Sequence, residues 1–148
     1  MLNSITKKGI LIIIFMSLSV FCFSDFEFNV TQKFKKGEGE ITVKGKSFEE
    51  VEEGVAQTLI RLKCKIVERD KEGLIVAERK GIKDVISDTG SIESTEEYVS
   101  AKWEIMIDSD DEKIVLVCAY TGTGAGFWGG KKKSFIIFCS KLESVLRR

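Results

Sequence analysis

Residues 47–79 read SFEEVEEGVAQTLIRLKCKIVERDKEGLIVAER, and this stretch decides the fold. Ser47 and Glu50 form the S-x-x-E pattern of a capping box, in which each side chain accepts a hydrogen bond from the other residue's backbone N–H. Apolar residues then recur every three or four positions, as on the buried stripe of a helix; they are Phe48, Val51, Val55, Leu59 and Leu62. The pattern predicts a helix that begins after Ser47 and buries one face.

The polar residues of this helix agree with its direction. Glutamates crowd the first turns, where the helix dipole favours negative charge, and Arg61 and Lys63 lie near the end, where it favours positive charge. Gly54 costs roughly 1 kcal/mol relative to alanine inside a helix. We therefore expect this glycine to serve a close approach of the helix to the sheet.

A β-hairpin follows the helix. Residues 65–70 and 74–80 flank Lys71-Glu72-Gly73, in which the glycine suits a turn. Before the helix, Glu38–Lys44 alternates between polar and apolar residues, which predicts another strand. Residues 25–34 alternate as well, and two interpretations remain open: a half-buried strand, or an extended arm that covers part of the sheet face opposite the helices.

The second half of the chain is predicted to add two strands and a helix. Residues 81–97 are rich in Ser, Thr, Asp and Gly and are interpreted as a long loop. Tyr98–Asp108 alternates strictly, with Val99, Ala101, Trp103, Ile105 and Ile107 on one face. Residues 108–113 (DSDDEK) predict a turn, residues 113–121 a central strand, and Ser134–Leu146 an amphipathic helix.

These elements predict an α+β fold. The order is β-α-β-β-β-β-α, a two-layer sandwich in which two helices pack on one face of an antiparallel sheet. We expect residues 1–24 to be a signal peptide, residues 25–37 an N-terminal arm or extra strand, and residues 38–148 a single domain.

The first 24 residues have the pattern of a targeting segment. Lys7 and Lys8 precede a wholly apolar run, and Ser24 offers a small residue for cleavage before Asp25. Cleavage is the favoured interpretation and predicts an exported protein of the periplasm or cell envelope. An uncleaved anchor through residues 9–24 and lipidation of Cys22 are the alternatives, although Phe21 departs from the small residue that lipoprotein signals carry before the cysteine.

The composition disfavours several classes of function. The chain has no His, which removes the usual catalytic base and the commonest transition-metal ligand. Its formal net charge is zero, so nothing favours nucleic-acid binding. The acidic run at 108–113 lacks the spacing of an EF-hand, and the glycines at 122–130 fit neither a Walker A loop nor a dinucleotide-binding turn. We expect no cofactor, no metal and no catalytic residue.

Three cysteines remain after the predicted cleavage: Cys64, Cys118 and Cys139. None belongs to a C-x-x-C pair, which disfavours a metal clip or thioredoxin-like chemistry. They are interpreted as small buried hydrophobic residues, with a disulfide between Cys64 and Cys118 as the less favoured alternative.

The strand, the capped helix opening with S-x-E-x-V, and the hairpin KIVERDKEGLIVAE together resemble a class of small exported bacterial domains. This class includes envelope lipoproteins and the repeated domain of the lipoprotein C subunit of the β-barrel assembly machine. The resemblance covers residues 40–79, and the final strand and helix more loosely. It implies a non-catalytic binding or accessory module of the cell envelope and carries over no catalytic residue.

Two aromatic residues beside a basic triplet form the candidate contact site. Phe127 and Trp128 lie between glycines and precede Lys131, Lys132 and Lys133. Aromatic rings tolerate the headgroup zone of a membrane and lysines attract anionic lipid, so the group suits a membrane surface or a pocket of an envelope partner. The alternative is that the loop folds back and one ring caps the core.

Two classes of function follow from these observations. The first is an exported binding module that acts through an uncovered sheet face or through the glycine-rich aromatic loop. The second is a small envelope enzyme that uses acidic residues of the 81–97 loop, or a carboxylate pair such as Glu78 and Glu104. Buried carboxylates in a pocket would favour the enzyme, and a flat, open sheet face would favour the binding module.

Overall fold

A computed structural model describes residues 25–122 and 130–148. In chain order the elements are β1 (Glu27–Lys35), β2 (Glu38–Lys44), α1 (Phe48–Arg61), β3 (Lys65–Arg69), β4 (Leu74–Ile86), β5 (Ile92–Asp110), β6 (Lys113–Gly122) and α2 (Gly130–Leu146). All strands pair antiparallel in one sheet of order β1-β2-β6-β5-β4-β3. Both helices pack on one face, which confirms the predicted α+β two-layer fold.

The N-terminal segment is a strand of the sheet. Its residues pair with β2, from Glu27 opposite Lys44 to Lys35 opposite Glu38. The alternative of an arm across the opposite face is therefore wrong, because this segment forms the edge strand of the sheet and the backbone groups that face β2 pair with it. Lys36 and Gly37 join the two strands with φ values of 54° and 87°, the left-handed conformation at both central positions that a tight hairpin turn requires.

Helix α1 begins as predicted. The Ser47 hydroxyl accepts a hydrogen bond from the Glu50 N–H at 3.2 Å, and the Glu50 carboxylate accepts one from the Ser47 N–H at 2.8 Å. Val51, Val55 and Leu59 are fully buried against the sheet. On the polar side, Arg69 of β3 donates to Glu52 and Glu53, so two of the glutamates also tie the helix to the neighbouring hairpin.

Helix α2 carries the second half of the core. It buries all five residues of its predicted stripe, Phe135, Phe138, Cys139, Leu142 and Leu146, and it starts four residues earlier than expected. Gly54 faces this helix: a Cβ on Gly54 would lie 2.7 Å from a methyl carbon of Leu146. The expectation that Gly54 serves contact with the sheet is wrong, because the close approach is between the two helices.

The predicted loop at 81–97 is wrong. β4 continues to Ile86 and β5 starts at Ile92, and the two strands pair along this whole stretch around a turn at residues 87–91. The sequence of residues 81–97 did not indicate strands because both faces of this strand pair are exposed. Such a pair lacks the alternation of polar and apolar residues that marks a half-buried strand. A bulge at Ser100 also moves Val99 off the inward face of β5, where it was predicted; Val99 pairs with Lys80 and is 42% exposed.

Candidate functional site

The structure describes part of the predicted contact site. Phe127 and Trp128 lie outside the described residues, as do Cys22 and the rest of the predicted signal segment. Lys131, Lys132 and Lys133 form the first turn of α2, and all three are exposed. Positive charge at a helix start opposes the helix dipole, so the local fold gains nothing from this triplet.

Lys132 borders an apolar groove that the sequence analysis missed. The groove lies between β1 and α2, has a volume of about 410 Å³ and is lined by Val30, Lys33, Phe34, Lys132, Phe135, Ile136 and Cys139. We call this site the lysine-bordered groove. It brings Lys33 of β1 to the same site as Lys132, one of the predicted lysines. No local pattern indicates this site, because it forms only where α2 packs against β1.

Packing under the groove explains how α2 is held against β1. The rings of Phe34 and Phe135 lie 5.6 Å apart between centroids. Gly39 of β2 lies directly below: a Cβ at this position would be 2.5 Å from the ring of Phe135. The absence of a side chain at Gly39 therefore lets Phe135 sit against the sheet, and this contact sets the position of the first turns of α2.

The sheet face opposite the helices has an apolar centre. Pairing places Leu74 and Val117 on either side of Met106, and Met106 and Val117 are 44% and 39% exposed. The same face continues through neighbouring positions of the paired strands; this apolar centre consists of Leu74, Val76, Met106, Val115, Val117 and Ala119. No element within residues 25–122 or 130–148 lies over it.

Charged residues surround the apolar centre. The Lys102 ammonium lies 3.0 Å from a carboxylate oxygen of Glu104, and Glu78 is the cross-strand partner of Lys102. These negative charges, with the hydrogen bond to Glu104 as the main cause, raise the pKa of Lys102. Glu78 and Glu104 thus lie on one face of the sheet, as the alternative of an enzyme with a carboxylate pair requires. However, Lys102 lies between them, and the face is open.

The cysteines are buried, free thiols. Cys64, Cys118 and Cys139 make no disulfide, so the alternative of a Cys64–Cys118 bond is wrong and the interpretation as small core residues is confirmed. Burial raises the pKa of Cys118 and raises that of Cys139 to about 12. Burial also raises the pKa of Cys64, and the charge of Arg79 opposes part of that effect.

A cavity of about 150 Å³ lies beside Cys64, at the end of the sheet from which β4 and β5 extend. Arg79, Trp103, Tyr120 and Ser134 also line it.

Among the residues that the structure describes, every carboxylate is at least partly exposed and no group of three acidic or cysteine side chains is arranged to hold a metal ion.

No model of a known protein family matches this chain, and no curated protein matches it. Neither helix in the described part of the chain is long and apolar enough to cross a membrane.

Proposed function

We propose that this protein is an exported, non-catalytic binding module of the bacterial cell envelope that contacts its partner with the uncovered face of its sheet. The observation that carries the proposal is the apolar centre of that face. Export and the envelope location rest on the pattern of residues 1–24 and on the resemblance of residues 40–79 to envelope domains.

The apolar side chains on this face form one continuous patch, in which Met106 and Val117 are exposed, Leu74 is half-buried and Val76 is buried. Leu74, Met106 and Val117 occupy a single row across β4, β5 and β6. Single exposed apolar residues are ordinary on protein surfaces, whereas a contiguous group with a polar margin is typical of interaction sites. Here Glu40 lies beside Val117, and Glu104 and Asp108 flank Met106, which supplies such a margin.

The absence of a catalytic role is proposed from the sequence. A chain without His has to build general acid–base chemistry from carboxylates, lysines, tyrosines or cysteines. A carboxylate pair that shares a proton works best in a buried site, where the pKa of one partner is raised. Glu78 and Glu104 instead share an open face with Lys102, an arrangement that suits electrostatic recognition of a surface.

Photo-crosslinking in living cells tests the proposal. A photoreactive amino acid replaces Met106 or Val117 in the full-length chain, and the same residue at Gln57, which is exposed on α1, is the control. We expect discrete adducts in the envelope fraction from the two sheet positions and none from Gln57. Val117→Lys combined with the photoreactive residue at Met106 should abolish the adduct, because a charge then has to be buried in the contact.

Two results would contradict the proposed contact surface. One is equal adduct formation at the sheet positions and at Gln57, which would indicate random collisions. The other is an adduct at Met106 that survives Val117→Lys unchanged. The thermal midpoint of each variant, measured on purified protein, shows whether a lost adduct reflects a lost contact or a lost fold.

A further inference from the structure

The ends of β4 and β5 form a two-stranded ribbon that extends beyond the sheet. β6 ends at Gly122, opposite Ala101, and β3 reaches only Glu78 of β4. From Lys80 to Ile86 and from Ile92 to Val99 the two strands pair only with each other among the described residues. We call residues 80–99 the ribbon. Seven residues of strand give it a reach of roughly 20 Å.

The ribbon exposes large apolar side chains on one face. Ile82, Ile86 and Ile92 are 71%, 65% and 64% exposed, and pairing together with strand alternation places them on the same side. Isolated two-stranded ribbons are only marginally stable in water, and three bare isoleucines add no stability to the monomer. These residues have the features of a surface that becomes buried in an assembly.

The ribbon is also acidic. Residues 80–99 contain five acidic residues and two basic ones. Asp84 and Glu97 lie on the isoleucine face, because Glu97 pairs with Ile82 and Asp84 is two residues along the same strand. Lys80 lies on this face as well, and its ammonium is 3.6 Å from a carboxylate oxygen of Glu97. The isoleucine face therefore combines apolar side chains with the negative charge of Asp84 and with an ion pair near its base.

The lysine-bordered groove has the complementary character. Its walls are apolar and its border carries Lys33 and Lys132. Further exposed lysines surround this border, at positions 35, 36, 131 and 133. A ligand for this site should therefore offer apolar groups together with negative charge, and the ribbon offers both.

The groove and the ribbon lie at the same end of the sheet. The carbonyl of Gly37, in the turn after β1, accepts a hydrogen bond from the Tyr120 N–H at 3.0 Å. Tyr120 pairs with Trp103, two residues from the point where the ribbon leaves the sheet at Ala101. A ribbon that projects away from this end does not reach the groove of its own chain, but it can reach the same end of a second molecule that faces it.

We propose that the ribbon of one molecule binds in the lysine-bordered groove of a second copy of this chain, and that the exchange is reciprocal. Because both surfaces lie at one end, two facing copies satisfy both contacts at once and form a closed twofold dimer. The isoleucines enter the apolar groove, and Asp84 and Glu97 meet Lys33 and Lys132. The ribbon isoleucines lie on the same face of β4 as Leu74, but further along the strand, and this contact does not use Met106 or Val117. The crosslinking and the association measurements therefore probe different residues, so either proposal can fail without the other.

Charge reversal tests the dimer. The mature chain, from residue 25, is measured by sedimentation equilibrium at low salt. One variant carries Lys33→Glu and Lys132→Glu, and the other carries Asp84→Lys and Glu97→Lys. We expect the wild type to dimerise. Each variant alone should have a dimer dissociation constant at least about tenfold higher than the wild type, because like charges then face each other. An equimolar mixture of the two variants should recover the wild-type affinity, since every contact again joins opposite charges.

A matched control removes two positive charges elsewhere. Lys71→Glu with Arg148→Glu alters exposed residues outside the groove and should leave the dimer intact. Thermal melts confirm that each variant is folded, and Ile86→Ser with Ile92→Ser, which changes no charge, should also yield a monomer. Added salt should weaken the wild-type dimer, because the paired charges are exposed before association.

Three results would overturn the proposal: a wild-type protein that stays monomeric at about 1 mM, a dimer unaffected by either charge reversal, or a mixture of the two variants that stays monomeric. Vesicles with and without anionic lipid provide a further measurement. A monomeric wild type that binds anionic vesicles through Lys33 and Lys132 would show that the groove takes lipid instead of a second copy.

Discussion

At the scale of single residues, two glycines allow helix α2 to pack closely, and burial raises the pKa of the cysteine thiols. Gly39 leaves room for the ring of Phe135, and Gly54 leaves room for Leu146. These two contacts hold α2 against the sheet and against α1. Cys118, in the middle of the central strand β6, is fully buried and faces the same helix.

Gly39→Ala should destabilise the protein by roughly 1–3 kcal/mol, since the new methyl group overlaps the Phe135 ring and the packed core cannot easily move. Urea denaturation measures the loss. In the background of Phe135→Leu the same alanine should cost clearly less, because the smaller side chain vacates the space. An equal cost in both backgrounds would show that Phe135 is not the obstacle.

The buried thiols should make the protein less stable in alkali. The folded state holds the pKa of Cys118 far above its ordinary value near 9.0 and that of Cys139 at about 12. Their contribution is fully present below pH 9 and is lost as the pH rises toward 12, because the unfolded chain then releases protons that the folded chain retains. The free energy of unfolding should fall over this range, and more shallowly in Cys118→Val. If the free energy of unfolding falls equally steeply with pH in the wild type and in Cys118→Val, the thiol of Cys118 is not responsible for the loss.

At the scale of secondary-structure elements, α1 is the best-specified part of the chain. Its capping box, its buried stripe and its ion pairs to Arg69 all stabilise the same helix position. The ribbon is the opposite case, since among the described residues its two strands pair only with each other and its isoleucines are exposed.

Leu59→Ala should cost about 2–5 kcal/mol, as a large-to-small change at a fully buried position. Gln57→Ala, on the exposed side of α1, should change stability by less than about 0.5 kcal/mol. Thermal or urea melts compare the two, and equal stability of both variants would mean that the helix presents a different face to the sheet.

At the scale of the whole molecule, residues 25–122 and 130–148 leave three surfaces open: the apolar centre of the sheet, the ribbon that continues beyond it, and the lysine-bordered groove. These surfaces are the features on which the proposed binding role and the proposed dimer rest.

The mature protein should begin at Asp25. Lys7 and Lys8, the apolar run and Ser24 match the pattern of a cleaved signal peptide. Intact-mass measurement of the protein from its native host checks this prediction. A mass that includes Met1, or one that shows acyl chains on Cys22, would contradict it and support the anchor or the lipoprotein.

Phe127→Ser with Trp128→Ser should leave the thermal midpoint nearly unchanged and weaken binding to anionic vesicles or to an envelope partner. The flanking glycines and the exposed lysines at 131–133 favour a contact role for these rings. Lys131→Ser with Lys133→Ser is the matched variant for the charge. A fall of many degrees in the midpoint on changing the rings would assign them to the core instead.

The sequence by itself determined the elements whose signals are local. The cap of α1, the stripes of both helices and the alternation of β5 from Ala101 to Ile107 all appear in the structure, because each depends on residues only two to four positions apart. These elements were sufficient to predict the two-layer fold. Each helix and strand has one apolar face, and few arrangements of helices and sheet bury all of these faces.

Only the tertiary structure decided which elements meet. The ribbon was missed because an exposed pair of strands has no periodic apolar face to reveal it, although its paired residues are close in sequence. The partner of Gly54 and the groove beside Lys33 depend on where α2 settles, and that position depends on Phe135 fitting over Gly39, which is 96 residues earlier in the chain. Local patterns specify the faces of elements, but the space between elements is set by packing of side chains far apart in sequence.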